Sequence, residues 1–279
     1  MRLLSCDNPE DAIRSLAIVY QVDEGKVRHI ASSGWPEWIK DGGESPSEIF
    51  KPEFFPLLME EPLGAKFEGS PFFTAHYHRT RYDGSSEWFE DGLLPADRGT
   101  DRFLEKLRPY LDQETFEAVK SISTSNINER VEYEGNGGPH AFDTLYDAIS
   151  AVRHGADYSV PEFLRGGQWD RYADLKTSVE GRIAECFIPV IVKFRRYQAN
   201  TYGYVTNLWR YLYQTWTGEM PSGADCFPGT FIGGGKPVPR EDFVELIDPQ
   251  SQTILTAAVD NPVDGNKKPA SGAGFVGDA

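Results

Sequence analysis

Cysteine is scarce in this chain, and the few that occur exclude a cysteine-based framework. Cys6, Cys186 and Cys226 are odd in number, widely separated and never arranged as a Cys-x-x-Cys pair. A disulfide scaffold needs an even set of cysteines, and a cysteine zinc site needs them paired at short spacing. We therefore expect reduced thiols, as in a cytoplasmic protein, with neither a disulfide frame nor a cysteine zinc site.

Long apolar runs are also missing. No stretch approaches the roughly 18 apolar residues that a membrane span needs. The N-terminal sequence, MRLLSCDNPEDAIRSL, lacks the apolar core and small-residue cleavage site of a secretory signal. The sequence thus predicts a soluble, cytoplasmic protein that has no membrane partner.

Basic residues are fewer than acidic ones. The chain has 28 Lys and Arg against 43 Asp and Glu, which gives a formal net charge of -15. Such a charge repels polyanions, so generic high-affinity binding to nucleic acid through counterion release is not expected. Two groups of basic residues still allow a local basic groove, although charge runs are more often solvated surface. They are Arg79, Arg81, Arg98 and Arg102, and Lys193, Arg195 and Arg196.

Length and local composition predict one main domain with an N-terminal extension. In residues 1–69 we expect a helix, capped by Asp7 or Asn8, and an irregular cover rich in proline and aromatics. Residues 70–258 form the predicted main domain, and the glycine-rich residues 259–279 a disordered tail. We expect the cover to bring five aromatic residues onto the main domain: Trp35, Trp38, Phe50, Phe54 and Phe55.

Within the main domain the pattern predicts an α+β fold. The apolar run from Cys186 to Phe194 is typical of a central strand covered on both faces. Residues 225–247 predict a strand, a glycine-rich turn and a final edge strand. The polar residues 123–128 predict a loop, Arg130 to Glu134 a short strand, and Asp143 the cap of a helix that ends near Gly155.

The segment 72–95, FFTAHYHRTRYDGSSEWFEDGLLP, carries the most distinctive pattern. On a strand Thr74, His76, His78 and Thr80 share one face, and such a polar face indicates a site rather than a core surface. Three interpretations of the two imidazoles stay open at this point. They are a metal site completed by His140, His154 or a carboxylate, acid–base catalysis, and buried structural hydrogen bonding.

The order of two short motifs in this segment adds a resemblance. His78-Arg79-Thr80-Arg81, followed by Gly92-Leu93-Leu94-Pro95, resembles the first motif of the ADP-ribosyltransferase superfamily. The resemblance implies a split antiparallel β-sheet core with surrounding helices. It also implies that His78 binds a ribose hydroxyl of NAD and that main-chain groups of Arg79 hold the nicotinamide carboxamide. Arg79 stands where the family pattern prefers glycine, and Thr80 completes the motif.

The remaining site residues follow from the same resemblance. Tyr158, in the sequence ADYSVPE, is expected to stack on nicotinamide, with Glu162 beside it in the binding site. Arg81 is expected to contact the pyrophosphate. A carboxylate is required to stabilise the cation-like transition state. Asp225 is the first choice for it, and Glu219, Glu162 and Glu185 are alternatives.

The sequence therefore predicts an enzyme that consumes NAD as substrate and transfers ADP-ribose to a protein or nucleic acid. A bacterial or phage toxin or defence effector, with an antitoxin or regulatory partner, fits that activity. Two alternatives come from other classes. One is a metal-dependent hydrolase built on His76 and His78, and the other is a non-enzymatic interaction protein that binds through residues 34–69.

Overall fold

The structure is a computed structural model that describes residues 2–40, 50, 54–69, 71–134, 137–150, 161–165, 167–218 and 229–257. It is a mixed α+β protein, as the sequence pattern predicts. The strands are β1 (Leu3–Leu4), β2 (Phe72–Tyr82), β3 (His140–Ala141), β4 (Ile188–Gln198), β5 (Phe231–Ile232), β6 (Phe243–Ile247) and β7 (Ile254–Ala257).

The helices are interspersed with the strands along the chain. They are α1 (Pro9–Tyr20), α2 (Glu24–Ser32), α3 (Glu37–Lys40), α4 (Phe55–Leu58), α5 (Glu60–Leu63), α6 (Ala96–Leu107), α7 (Gln113–Glu134), α8 (Leu145–Ser150), α9 (Ala173–Cys186) and α10 (Tyr202–Thr217). Single 3₁₀ turns cover Ser86–Phe89, Arg108–Tyr110, Glu162–Leu164, Gly167–Arg171 and Arg240–Asp242.

The main sheet has the strand order β1-β2-β4-β6-β7. β1 runs parallel to β2, and the other neighbours are antiparallel. The predicted central strand is confirmed: β4 pairs on both edges, and Val190, Ile191 and Val192 are completely buried. It begins at Ile188, because Cys186 ends α9. β6, predicted as the final edge strand, is instead an inner strand covered by β7.

β2 is held along both of its edges. One edge pairs with β4 from Phe72 opposite Gln198 to Tyr82 opposite Ile188. The other edge pairs with β1 near its start, and farther along Tyr77 exchanges two backbone hydrogen bonds with Phe142, at 2.8 and 3.0 Å. The histidines of β2 are therefore in the interior of the sheet and not at its margin.

The N-terminal segment packs on α10. Trp209 of that helix contacts the rings of Tyr20 and Trp35 at centroid distances of 6.3 and 5.8 Å. Trp35, Phe50 and Phe55 are buried, as the cover was predicted to place them, whereas Trp38 and Phe54 are exposed by 39% and 61%. The N-terminal segment also supplies β1 to the main sheet; the domain limits remain a prediction, and the tail from 259 lies outside the described residues.

A second core lies between β4 and the helices α6, α7 and α9, and it explains one error of the sequence analysis. α7 continues through residues 123–134, where a loop and a short strand were predicted. Ser123, Asn126 and Ile127 are buried there, and Asn126 Nδ2 donates to the carbonyls of Phe163 and Arg165. These tertiary contacts outweigh the weak helix propensity of serine, threonine and asparagine.

Among the described residues, no helix combines the length and apolar character that crossing a bilayer requires.

The first turn of α7 gives a prediction on pH dependence. The side chain and main chain of Thr115 donate to the Asp112 carboxylate and lower its pKa below the ordinary value of 3.8. The ionised form is thus favoured by folding, and its stabilisation is present above about pH 4 and is lost as pH falls through the lowered pKa. Asp112→Asn keeps a capping side chain without the charge. The difference in free energy of unfolding between wild type and this variant should be largest at pH 7 and shrink below pH 4, as measured by urea unfolding.

Asp101→Asn is the matched control, because Asp101 is exposed and forms no hydrogen bond or ion pair with the described residues. A difference for Asp112→Asn that stayed constant from pH 7 to pH 3 would contradict the assignment.

Candidate functional site

His76 is completely buried at the centre of a hydrogen-bonded cluster. Its Nδ1 lies 2.9 Å from Asp143 Oδ1, and its Nε2 lies 2.9 Å from Thr74 Oγ1 and 3.0 Å from Gln198 Nε2. A carboxylate only accepts hydrogen bonds, so Nδ1 carries the hydrogen and Nε2 accepts from the hydroxyl or the amide. The ring is thereby fixed in one tautomer and one orientation.

Asp143 is the hub of the cluster and is also completely buried. Oδ1 accepts from His76 and from the main-chain nitrogen and hydroxyl of Thr230, at 3.1 and 3.0 Å. Oδ2 accepts from Asn207 Nδ2 of α10 at 2.7 Å. A buried carboxylate is stable only when donors replace its water, and here donors from three separate segments do so.

The local sequence explains why Asp143 is available for this role. We predicted it as the cap of the following helix, but the structure assigns the cap to Thr144, whose Oγ1 accepts from Asp147 N at 2.9 Å. Thr144 Oγ1 in turn donates to Asp147 Oδ2 at 2.7 Å. Asp143 therefore precedes the cap, and its side chain can turn towards β2.

His78 lies two residues along β2 and is partly buried. Its Nδ1 lies 2.7 Å from the carbonyl oxygen of His140, at the start of β3. A carbonyl oxygen cannot donate, so Nδ1 carries the hydrogen, and in a neutral His78 the lone pair is on Nε2. The two histidines of β2 thus share a tautomer but have different partners.

The arginines of the HRTR motif lie on the other face of β2. Arg79 Nη1 donates to the carbonyls of Ala148 and Ile149 in the last turn of α8, at 3.1 and 2.7 Å. Arg81 Nη1 donates to the carbonyl of Phe187, just after α9, at 2.8 Å. Thr80, on the His78 face, pairs with Val190 of β4. Both arginines therefore bind carbonyls at or beyond helix C-termini, where positive charge is favourable.

The other basic residues do not form one groove. Lys193 is buried between two carboxylates, and Arg195 lies 3.6 Å from Asp242, whereas Arg196 is exposed at a separate pocket. Arg102 forms an ion pair with Asp91. These four residues therefore form no continuous basic surface, and the predicted alternative of solvated surface residues describes Arg196 but not the buried Lys193.

Several predicted site residues cannot be placed relative to His78. Tyr158, Asp225, Glu219 and His154 lie outside the described residues. Glu162 begins a 3₁₀ turn, and its side chain is not among those described. Glu185 is exposed on α9 and pairs with Arg182 at 2.8 Å.

A metal centre on His76 is not favoured by the geometry. Both ring nitrogens of His76 are already within hydrogen-bonding distance of protein groups, so a metal would have to displace one of them. Across the described ranges, no group of three histidine, cysteine or acidic side chains is arranged to hold a metal ion. The third ligand that a site on β2 would need is therefore missing from this part of the chain.

A second buried polar cluster lies on the opposite face of β2. Tyr77 OH donates to Asp7 Oδ1 at 2.6 Å and accepts from Cys6 N at 3.1 Å. Lys193 Nζ lies 2.6 Å from Asp7 Oδ2 and 3.8 Å from Glu245 Oε2. Asn8 caps α1, so Asp7 again is the acid that precedes a cap. Burial raises the pKa of the Tyr77 hydroxyl well above its ordinary value.

Asp143 and Gln198 were not predicted from the sequence as partners of His76, nor were Thr230 and Asn207 as donors to Asp143. These residues are separated from His76 by 67 or more positions, and no local sequence pattern relates them to it. The one available signal was the pair of acids that precede a cap residue, Asp7-Asn8 and Asp143-Thr144. When the next residue caps the helix, the side chain of the preceding acid is not needed as a cap and can form other hydrogen bonds.

Comparison with known proteins gives no relative: no family model, curated protein or solved structure matches this chain.

Removal of the Asp143 carboxylate should destabilise the fold strongly. Asp143→Ala would leave Nδ1–H of the buried His76 without an acceptor and remove the acceptor of the partly buried Thr230 and Asn207, and we expect a loss of about 3–5 kcal/mol in the free energy of unfolding. Urea unfolding measures it. Asp170→Ala, at an exposed position, should change stability by less than about 0.5 kcal/mol. A loss below about 1 kcal/mol for Asp143→Ala would contradict the hub role.

The buried thiol gives a second prediction. Burial, and then the charges of Asp147 and Asp7, raise the pKa of Cys6 well above its ordinary value. Thiolate is the reactive form, so Cys6 should stay unmodified by iodoacetamide at pH 8 in the native protein and react once urea unfolds it. Peptide mass spectrometry can compare it with the partly exposed Cys186. Equal native labelling rates for the two thiols would contradict the placement of Cys6.

Proposed function

We propose that this chain is an NAD-consuming ADP-ribosyltransferase in which His78 binds the nicotinamide ribose. The supporting observation is the bond from His78 Nδ1–H to the carbonyl of His140. It orients the ring and assigns the unprotonated lone pair to Nε2. A fixed lone pair is the group required to accept a hydrogen bond from a sugar hydroxyl, which is the role that the resemblance implies.

The main chain of β2 supports the second contact of the proposal. Tyr77 directs its N–H and C=O away from β4, towards Phe142. In an antiparallel strand alternate residues share an edge, so Arg79 directs its main-chain groups to that same edge. The carboxamide of nicotinamide has an N–H donor and a C=O acceptor. It can therefore form with the main chain of Arg79 the two hydrogen bonds that a residue of an added strand would form. This is the expected mode for nicotinamide.

The arginine in place of the family glycine is compatible with that mode. Its guanidinium is bound to the carbonyls of Ala148 and Ile149, on the face of β2 opposite to His78. The side-chain bulk is therefore directed away from the His78 face. The Arg81 guanidinium is directed to Phe187, so its proposed pyrophosphate contact requires a change of rotamer.

Gly92 and Leu93 complete the supporting geometry. Leu93 exchanges two backbone hydrogen bonds of 2.9 Å with Val238. Gly92 has a φ of +78°, and a Cβ there would overlap the Val238 carbonyl oxygen. Only glycine tolerates both the positive φ and the close approach of the Val238 carbonyl. The glycine of the GLLP motif is therefore explained by this backbone geometry, independently of any resemblance.

The proposed reaction breaks the bond between nicotinamide and ribose C1′. An acceptor nucleophile forms the new bond to C1′ and gives up its proton, and nicotinamide departs with the bonding electrons. Tyr158 is proposed to stack on the nicotinamide, and an acid to stabilise the developing cation. Asp225 is the first candidate for that acid, ahead of Glu219, Glu162 and Glu185.

The biological setting is part of the same proposal. We place the activity in the cytoplasm, with a protein or nucleic acid as the acceptor and an antitoxin or other regulator as a partner. We propose a toxin or defence role with it, which suits an enzyme that would consume NAD and modify macromolecules.

The His78 role can be tested with labelled NAD. Wild-type protein, a cell extract and NAD labelled in its adenylate phosphate should yield free nicotinamide and labelled protein, DNA or RNA. His78→Ala should lower the rate of nicotinamide release roughly 10- to 100-fold, because a hydrogen bond lost at a ligand whose partner is buried costs about 1–3 kcal/mol.

His29→Ala is the matched control, since His29 is an exposed histidine on α2. Circular dichroism and the urea midpoint establish that each variant is folded. Absence of both nicotinamide release and labelled product with folded wild-type protein would overturn the proposal. Unchanged function of a His78→Ala, Tyr158→Phe double variant would favour the interaction-protein alternative.

A further inference from the structure

A pocket of about 290 Å³ opens at the C-terminal end of β4, where Gln198 contacts His76. Its wall comes from the end of β4 and the following turn, and from the segment that contains β5. The lining residues are Arg196, Tyr197, Gln198, Ala199, Asn200, Thr230, Phe231, Ile232, Gly233, Lys236 and Pro237. His78 and His140 are not among them, although His140 pairs with the lining residue Ile232.

The floor of the pocket is fixed by the buried cluster below it. Gln198 Nε2 donates to His76 Nε2, which Asp143 holds in the accepting tautomer. Thr230 donates its hydroxyl hydrogen to Asp143. The tautomer of His76 thus requires the NH₂ group of Gln198 to point inward, which leaves Gln198 Oε1 as the outer atom.

This orientation gives the pocket an acceptor at a set position. Gln198 Oε1 forms no hydrogen bond with the described residues and is not buried. A ligand group that fits it must be a donor, such as a hydroxyl or an amine. Reversal of the Gln198 amide would break its hydrogen bond to His76. The pocket therefore keeps Gln198 Oε1 outward and prefers a ligand with a hydrogen-bond donor.

Two cations at the rim favour an anion. Arg196 and Lys236 are exposed, and neither side chain forms a hydrogen bond or an ion pair of 4.0 Å or less with the rest of the described chain. Their side chains lie at one pocket on a protein of formal net charge -15. A guanidinium and an ammonium together suit a phosphate, which the guanidinium can bind through two parallel hydrogen bonds.

The size and the apolar wall narrow the ligand class. Phe231, Ile232 and Pro237 offer carbon surface beside the polar floor. Drug-sized ligands occupy pockets of about 300–1,000 Å³, so this one is at the lower limit. A molecule that has hydroxyls, one phosphate and a short carbon skeleton matches every part of the lining.

We infer that this pocket binds a phosphorylated monosaccharide, with its phosphate on Arg196 and Lys236 and a hydroxyl on Gln198 Oε1. The inference does not rest on the proposed transferase activity, because none of the residues that hold His78 line the pocket.

Isothermal titration calorimetry of the full chain with ribose 5-phosphate, ribose and inorganic phosphate tests the inference. We expect saturable binding of ribose 5-phosphate, and affinity at least about tenfold lower for each of the other two compounds. The Arg196→Ala, Lys236→Ala double variant should lose about tenfold or more in affinity for ribose 5-phosphate. The Lys120→Ala, Arg171→Ala control removes the same charge from exposed positions outside the pocket and should bind as wild type.

Gln198→Leu tests the hydroxyl contact separately. It should weaken ribose 5-phosphate binding and leave the weaker binding of inorganic phosphate unchanged. Equal affinity for ribose 5-phosphate and inorganic phosphate, no binding of ribose 5-phosphate at millimolar concentration, or equal loss in the two double variants would overturn the inference.

Discussion

The hydrogen bond between His76 and Asp143 is the constraint on which the rest of the proposed site depends. It joins β2 to the segment before α8, and through Thr230 and Asn207 the same carboxylate joins the β5 segment and α10. Because His76 and Asp143 are completely buried, loss of either would leave the other without water or protein to satisfy it. The bond also sets the His76 tautomer, and hence which atom of Gln198 faces the pocket.

The same arrangement occurs on the other face of β2. Asp7 precedes the capping residue of α1 and binds Tyr77 and Lys193, as Asp143 precedes the cap of α8 and binds His76. Two consecutive residues of β2, His76 and Tyr77, are therefore tied to the segments that precede two helices. With β4 along its other edge, β2 provides a rigid base for His78, and rigid placement is what a binding histidine requires.

The sequence allowed correct predictions where one local pattern dominated. Alternation along β2 correctly placed His76 and His78 on one face, and continuous apolarity identified β4 as central. Predictions from the sequence were wrong where contacts between distant residues determine the local structure. α7 continues through a polar stretch because Asn126 donates to a carbonyl of another segment. The partners of His76 could not be inferred, since the bonds to Asp143 and Gln198 span 67 and 122 residues.

The central claim is that both imidazoles of β2 are held with the hydrogen on Nδ1, by a carboxylate for His76 and by a carbonyl for His78. Nitrogen-15 NMR of the imidazole side chains at pH 8, where an ordinary histidine is neutral, measures this directly. The account predicts a protonated Nδ1 and an unprotonated Nε2 for both residues. A protonated Nε2 at His76 or His78, or averaged shifts that show exchange between the two tautomers, would contradict it.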